Sequence, residues 1–336
     1  MPTRNVLALG SALMLVACAG GLRVTGPAAG AAGAADWKAS HGREDPRVGR
    51  IFDVARVEWI EESALLDALA QTDFVLLGER HDHPDHHRLQ ARVVRDLVAR
   101  GRRPAVAFEM LDADDASAVA LVSANTQEDP AARAEALRQA VRWDESGWPD
   151  WALYAPVFEA ALAAELSIVP ANLAPAEARA IGRGGAEALT PARRAVLGLD
   201  EPLDPATFDA LAERIREAHC GHAPEAALAR MVDVQRAWDA QLASSLVAAA
   251  TGANTGGGAI LIAGNEHVRR DRGAPRRLAQ LAPDARIATL GLIEIDPLDP
   301  SDLPDASAPF DYVWLTPRLD LEDPCEAYRD ALENIH

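Results

Sequence analysis

The sequence predicts an α/β fold with a mainly parallel central sheet flanked by helices and a helical subdomain inserted into it. Three observations predict this. Apolar runs at residues 74–77, 104–110, 167–172, 259–263 and 286–295 alternate with stretches of helical period. Near-continuous apolar runs of that length are what strands buried on both sheet faces look like. Residues 174–250 carry Ala, Glu and Arg in helical spacing with no strand signal, enough for three or four helices.

The first residues read as an address. Arg4 is a short positive region, and residues 6–17 form an apolar run too short to span a bilayer comfortably. Residues 1–18 are therefore expected to be a signal peptide. Leu15-Val16-Ala17-Cys18 resembles the lipobox of bacterial lipoproteins. That resemblance implies cleavage before Cys18, acylation of its thiol by palmitate-type chains, and a firm anchor. The alternative is an ordinary secretory signal cut near Ala19 or Gly20. Ala19 after the Cys suggests an outer-membrane lipoprotein facing the periplasm, by analogy with lipoprotein sorting. Residues 19–45 are rich in Gly and Ala with no apolar period and read as a flexible tether.

The formal charge of −18, from 33 basic and 51 acidic residues, argues against a nucleic-acid partner. It also argues against electrostatic adhesion to anionic lipid, so a membrane partner would be reached through the anchor. The chain has three cysteines, and if Cys18 is acylated the remaining pair is Cys220 and Cys325. In an oxidising compartment these form a disulfide or stay as two buried thiols.

The α/β core is expected over residues 46–173 and 251–336, around the subdomain at 174–250. A helix is expected from about Ser63 to Ala70. The strand at 74–77 follows and stops at Gly78-Glu79-Arg80-His81. Pro84 suits the first turn of the next helix, whose apolar stripe runs through His86, Leu89, Val93 and Leu97. The strand at 104–110 ends in Glu109-Met110. A strand–helix–strand unit of this length is parallel and right-handed, which places Glu79 and Glu109 at one sheet edge. Helices are expected at 115–140, broken near 125–130, and at 156–165. Between them Trp143, Trp148, Trp151 and Tyr154 either fill a core corner or wall a planar ligand. The longest subdomain helix is expected at 231–249. The strand at 259–263 ends in Gly264-Asn265-Glu266-His267, repeating the Gly-x-x-His form of the earlier strand end. A helix from Pro275 to Leu281, the strand at 286–295 and a last one at 312–315 complete the core.

Four of the nine histidines fall between residues 81 and 87. Ligands of open α/β sheets bind at the carboxyl ends of strands, so these residues outline a site. Glu79, His81, Glu109 and His267 are expected to share it. His83 and His87 read as solvated residues of the helix start and the rim.

The ordered set Gly78-Glu79-x-His81-Asp82-x-Pro84-x-His86-His87, Glu109-Met110, Trp151-x-x-Tyr154-x-Pro156, Asn172-Leu173, His219-Cys220, Gln235-Arg236-x-x-Asp239, Gly264-Asn265-x-His267 and Asp323-Pro324-Cys325 resembles the ChaN-like family of haem-binding lipoproteins. The family belongs to a wider group with the Tiki/TraB metalloproteases and the erythromycin esterases. The resemblance covers about residues 50–330. It implies an α/β fold with a helical subdomain, haem or iron uptake, and haem held between two subunits as a homodimer sandwich. It also implies Tyr and His as ligand types. Glu266 stands where the family has Gly in Gly-Asn-Gly-His, Trp238 and Leu242 replace its Arg and Met, and His83 is often Asn.

Two chemistries suit these residues. In a haem-binding protein, Tyr154, His86, His87 and His267 are the ligand candidates, Trp151 and its neighbours pack on the porphyrin, and Arg80 and Arg269 pair with propionates. In a metal-dependent hydrolase, Glu79, His81, Glu109 and His267 are the catalytic set, holding Zn or Mn and an activated water. Without metal, His81 would act as general base oriented by Glu79. The binding protein is the favoured expectation.

Overall fold

The computed structural model describes residues 37–251, 257–299, 301–322 and 324–327. The expected signal peptide, the expected lipidation site at Cys18 and most of the expected tether lie outside them. Residues 37–45, expected within the tether, are among the described residues. Trp37 and Ala39 are buried, and the N–H groups of Lys38 and Ala39 donate to the Asp85 carboxylate at 3.0 and 2.8 Å.

Eight strands form one sheet: β1 (Ile51–Asp53), β2 (Glu58–Ile60), β3 (Phe74–Glu79), β4 (Ala105–Asp112), β5 (Ile168–Asn172), β6 (Ala259–Gly264), β7 (Ile287–Glu294) and β8 (Tyr312–Thr316). Their order is β2-β1-β8-β7-β3-β6-β4-β5. Every pairing from β8 to β5 is parallel, while β1 runs antiparallel to both β8 and β2. The fold class is as predicted. The sequence pattern missed β1 and β2, which are three residues each, too short to show a period, and sit at an edge.

The α-helices among the described residues are α1 (Glu62–Ala70), α2 (Pro84–Ala99), α3 (Ala116–Ala124), α4 (Pro130–Ala140), α5 (Trp151–Ala163), α6 (Pro175–Gly184), α7 (Pro191–Val196), α8 (Pro205–Ala218), α9 (Leu228–Thr251), α10 (Asn265–Val268), α11 (Ala274–Leu281) and α12 (Pro324–Ala327). α2 begins as expected at Pro84, with the His83 side chain accepting the Asp85 N–H. α5 begins five residues before Pro156, because the Asp150 carboxylate caps it through the Ala152 N–H at 2.9 Å.

One apolar core covers both sheet faces. The subdomain has small clusters of its own. Leu173, Ile181, Leu197, Leu199, Ala237 and Ala240 form one; Leu211, Ala212 and Val232 tie α8 to α9. Cys220, just past α8, is disulfide-bonded to Cys325.

The tryptophans largely resolve as core. Trp143 packs on Trp151, Tyr154 and Phe158, and its indole N–H donates to the Pro149 carbonyl at 2.8 Å. Trp151, expected against a porphyrin, is buried and stacked on Phe158. Trp143→Ala should cost about 3–5 kcal/mol, as a large lost side chain in a close-packed core does. Urea unfolding would show this as a lower midpoint with an unchanged slope.

Candidate functional site

Parallel pairing sets Glu79 of β3 beside Gly264 of β6, with β4 on the other side of β6. Three strand ends thus deliver Glu79, Glu109 and the α10 turn that carries His267. Two glycines permit the close approach. A Cβ on Gly78 would meet the Asn265 side-chain oxygen at 2.2 Å, and one on Gly264 would meet His81 Nε2 at 2.9 Å.

Glu79 is the hub. Its side chain is fully buried. Tyr154 donates its hydroxyl to Oε1 at 2.9 Å, and His81 donates Nδ1–H to the same oxygen at 2.9 Å. His87 Nδ1 lies 3.2 Å from Oε2. Burial opposes the charge of Glu79, but His87 and His81 outweigh it and hold the carboxyl far below its usual range. A second line runs through Glu109, which accepts the Gly264 N–H at 2.8 Å and lies 4.0 Å from His81 Nε2 and 3.4 Å from His267 Nε2. His267 Nδ1–H donates to Asp239 of α9 at 2.7 Å. Burial works against the charge of His267, yet Glu109 and Asp239 push its pKa up to about 9.

The structure therefore brings Glu79, His81, Glu109 and His267 together, as imidazole–carboxylate pairs. Among the described residues no three His, Cys, Asp or Glu side chains are disposed to hold a metal ion, so the metal set Glu79, His81, Glu109 and His267 lacks support.

The other histidines correct the expectation of a solvated rim. His83, His86 and His87 are all buried. His86 Nδ1 accepts the Arg80 N–H at 2.8 Å and its Nε2–H donates to Thr316 Oγ1 at 3.0 Å, which fixes it as neutral. His83 stacks on it and donates Nε2–H to the Pro317 carbonyl at 3.0 Å. His87 donates Nε2–H to the His81 carbonyl at 2.9 Å. In this arrangement His86, His87, His267 and Tyr154 are all buried. Burial and the Glu79 charge also push the Tyr154 hydroxyl far above its usual pKa, which disfavours the phenolate. Arg80 is held by Asp82, Glu294 and Asp320, and Arg269 by Asp271, so neither expected propionate partner is free.

His81 differs. Its side chain is 36% exposed, and with Nδ1 on Glu79 its Nε2 makes no hydrogen bond among the described residues, Glu109 Oε1 lying 4.0 Å away. Trp148, half-buried, stands edge-on to it with ring centres 5.1 Å apart. The sequence pattern placed Trp148 only as one of the tryptophan cluster and gave no role to Asp239, whose only signal was its place in Gln235-Arg236-x-x-Asp239. A cleft of about 250 Å³ opens beyond Asp239, lined by Arg236, Arg272 and Arg276; neither Glu79 nor His81 lines it.

The histidines give stability opposite pH limbs. His267, raised, contributes fully below its unfolded pKa of about 6.5 and loses that contribution as pH rises through about 9. His86, held well below 6.5 by burial and by His83 and His87, refuses a proton that the unfolded chain binds, so stability falls as pH drops below about 6.5. Melting temperature should peak between pH 6 and 7 on this logic, roughly where neither limb acts. His267→Gln should flatten the alkaline limb and leave the acid limb intact.

A family model for haem-binding uptake, Tiki superfamily, ChaN, matches residues 65–278. The chain belongs to the ChaN haem-binding uptake family. Among solved structures, ChaN of Campylobacter jejuni, described for cofacial haem binding, superposes with a TM-score of 0.61 at 22% identity, covering 79% of this chain and 95% of that one. The type III effector HopBA1 follows at a TM-score of 0.40 and 13% identity, covering 75% and 91%. No curated protein matches by sequence. Against the ChaN-family pattern, the unusual Glu266 has a structural use: its oxygens take Arg214 of α8 at 3.2 Å and Arg272 at 2.6 Å. It thereby ties the subdomain to the turn that carries His267.

Proposed function

We propose that this ChaN-family chain binds haem at the strand mouth, with the His81 imidazole facing the iron. The observation that carries this is the part-exposed His81, whose Nε2 makes no hydrogen bond among the described residues, in a cluster whose other histidines are buried. The residues fit the group. Haem iron accepts axial histidine, and the Nδ1–H bond to Glu79 fixes the tautomer that leaves Nε2 as the donor. Trp148 beside it offers a flat apolar group. When bound, haem would supply a redox-active iron. Its propionates would have to exchange with the acids now holding Arg80, or meet other groups.

The same Nε2 supports a second reading, in which His81 is a general base oriented by Glu79 in a hydrolase. The ChaN relative, described for cofacial haem, favours the first. The full proposal includes acylation of Cys18, location in the outer membrane facing the periplasm, and a homodimer sandwiching haem. Support for the anchor is the apolar run and the Leu-Val-Ala-Cys segment. Radiolabelled palmitate should enter the full chain and be lost in Cys18→Ala.

Haemin titration of the chain freed of residues 1–36 tests the reading. A saturable Soret shift at micromolar haemin is expected, with sedimentation reporting whether two chains associate. No Soret change, with turnover of a model ester that His81→Ala abolishes, would favour the hydrolase.

A further inference from the structure

Residues 269–277 carry five arginines in a chain whose acids outnumber its bases by 51 to 33. Three of the five are neutralised by carboxylates: Arg269 by Asp271, Arg270 by Asp311 and Arg272 by Glu266. Arg276 and Arg277 have no carboxylate partner among the described residues. Arg276 donates to the Thr207 hydroxyl and the Asp271 carbonyl at 3.4 and 3.3 Å. Arg277 donates to Gln280 Oε1 and the Val196 carbonyl, both at 3.0 Å, and its Nε is buried without a hydrogen bond. Neutral oxygens satisfy N–H groups but leave the charges in place. Both charges also fall in the first turn of α11, which has no acid and no side-chain cap to offset the positive end of the helix dipole. Both line the cleft of about 250 Å³ that Arg236 and Arg272 share. We propose that this cleft binds a small dianion, a phosphate monoester or a dicarboxylate, carrying an apolar body.

Two guanidinium charges without acids ask for a ligand of charge −2, and the guanidinium fork matches the paired oxygens of phosphate and carboxylate. Three acids line the cleft as well, but two are engaged: Asp204 caps α8 through the Thr207 N–H and hydroxyl, and Asp239 holds His267. The third, Glu201, is exposed. Leu197, Leu203 and Leu211 supply an apolar wall. A cavity of about 150 Å³ takes a benzene ring, so this cleft has room for a ring and its charged groups. The net charge of −18 repels anions in general, so capture of one needs such a local excess of positive charge. A purely structural cluster would pair these two arginines with acids, as the chain does for Arg269, Arg270 and Arg272. The proposal does not depend on the haem reading, since neither Glu79 nor His81 lines this cleft.

The test is calorimetric titration of the full chain with phenyl phosphate and with phthalate, benzoate serving as the single-charge control, and melting temperature read alongside. At least one dianion should fill one saturable site about tenfold or more tightly than benzoate, and the tighter of the two names the source. Arg276→Ala, a change at an exposed side chain, should weaken that binding about 10–100-fold, the loss of one charged hydrogen-bond donor. Arg276→Glu should abolish it, and Arg276→Lys, which keeps the charge but not the fork, should fall between wild type and Arg276→Ala. Haemin at saturation should leave the affinity unchanged. Neither saturable heat nor a rise in melting temperature with either dianion overturns the inference. So does binding that survives Arg276→Glu, benzoate bound as tightly as the dianions, or displacement by haemin. Failure of haem uptake would leave this inference standing.

Discussion

His81→Ala should weaken haem binding by more than 100-fold, because loss of a group behind a metal ligand already costs about 10–100-fold and this removes the ligand itself. Haemin titration followed at the Soret band measures it. The effect should be selective. His86→Ala would leave the Arg80 N–H and Thr316 hydroxyl without their partner, a loss of about 1–3 kcal/mol in stability. It should leave haem affinity within a few-fold of wild type, since His86 is neutral, buried and satisfied. A histidine-rich segment would thus divide into one residue that binds and several that hold it in place.

Opening the Cys220–Cys325 disulfide should destabilise the chain by up to about 4.7 kcal/mol, the chain-entropy limit for a loop of about 100 residues; the two cysteines are 105 apart. The bond sits at the end of α8, whose apolar support is the small cluster of Leu211, Ala212 and Val232 with Leu203, Phe208 and Ile215 packed against it. Beyond that cluster, α8 meets the α10 turn through Arg214 and Glu266. Cys220→Ser should therefore lower the urea midpoint strongly and raise amide exchange first in residues 205–218. Alkylation should add mass at Cys220 and Cys325 only after reduction.

The inner strands were legible because each is buried on both faces and bounded by Gly, Pro or charge. The convergence of Glu79, Glu109 and His267 was legible too, since parallel strands end on one edge. What the pattern could not show was depth. Pro84 marked the start of α2, but His83 and His87 are enclosed because the chain near Pro317 and the α5 helix close over that first turn. Partners from distant elements were equally hidden. Tyr154 was a ligand candidate from its neighbours in sequence, yet α5 turns its hydroxyl onto Glu79. Asp239 lies on the face of α9 that meets His267, which the heptad-free, Ala-rich run does not reveal. Trp148 was one of a cluster, and only tertiary packing separates it from the two tryptophans in the core.

The central claim is that haem sits on His81. Carbethoxylation of accessible imidazoles, read by peptide mass spectrometry, tests it directly. Without haemin, His81 and the exposed His222 should both be modified, and the buried His83, His86 and His87 should not. With haemin at saturation, His81 alone should become protected. Unchanged modification of His81 while the Soret band reports bound haem would contradict the account.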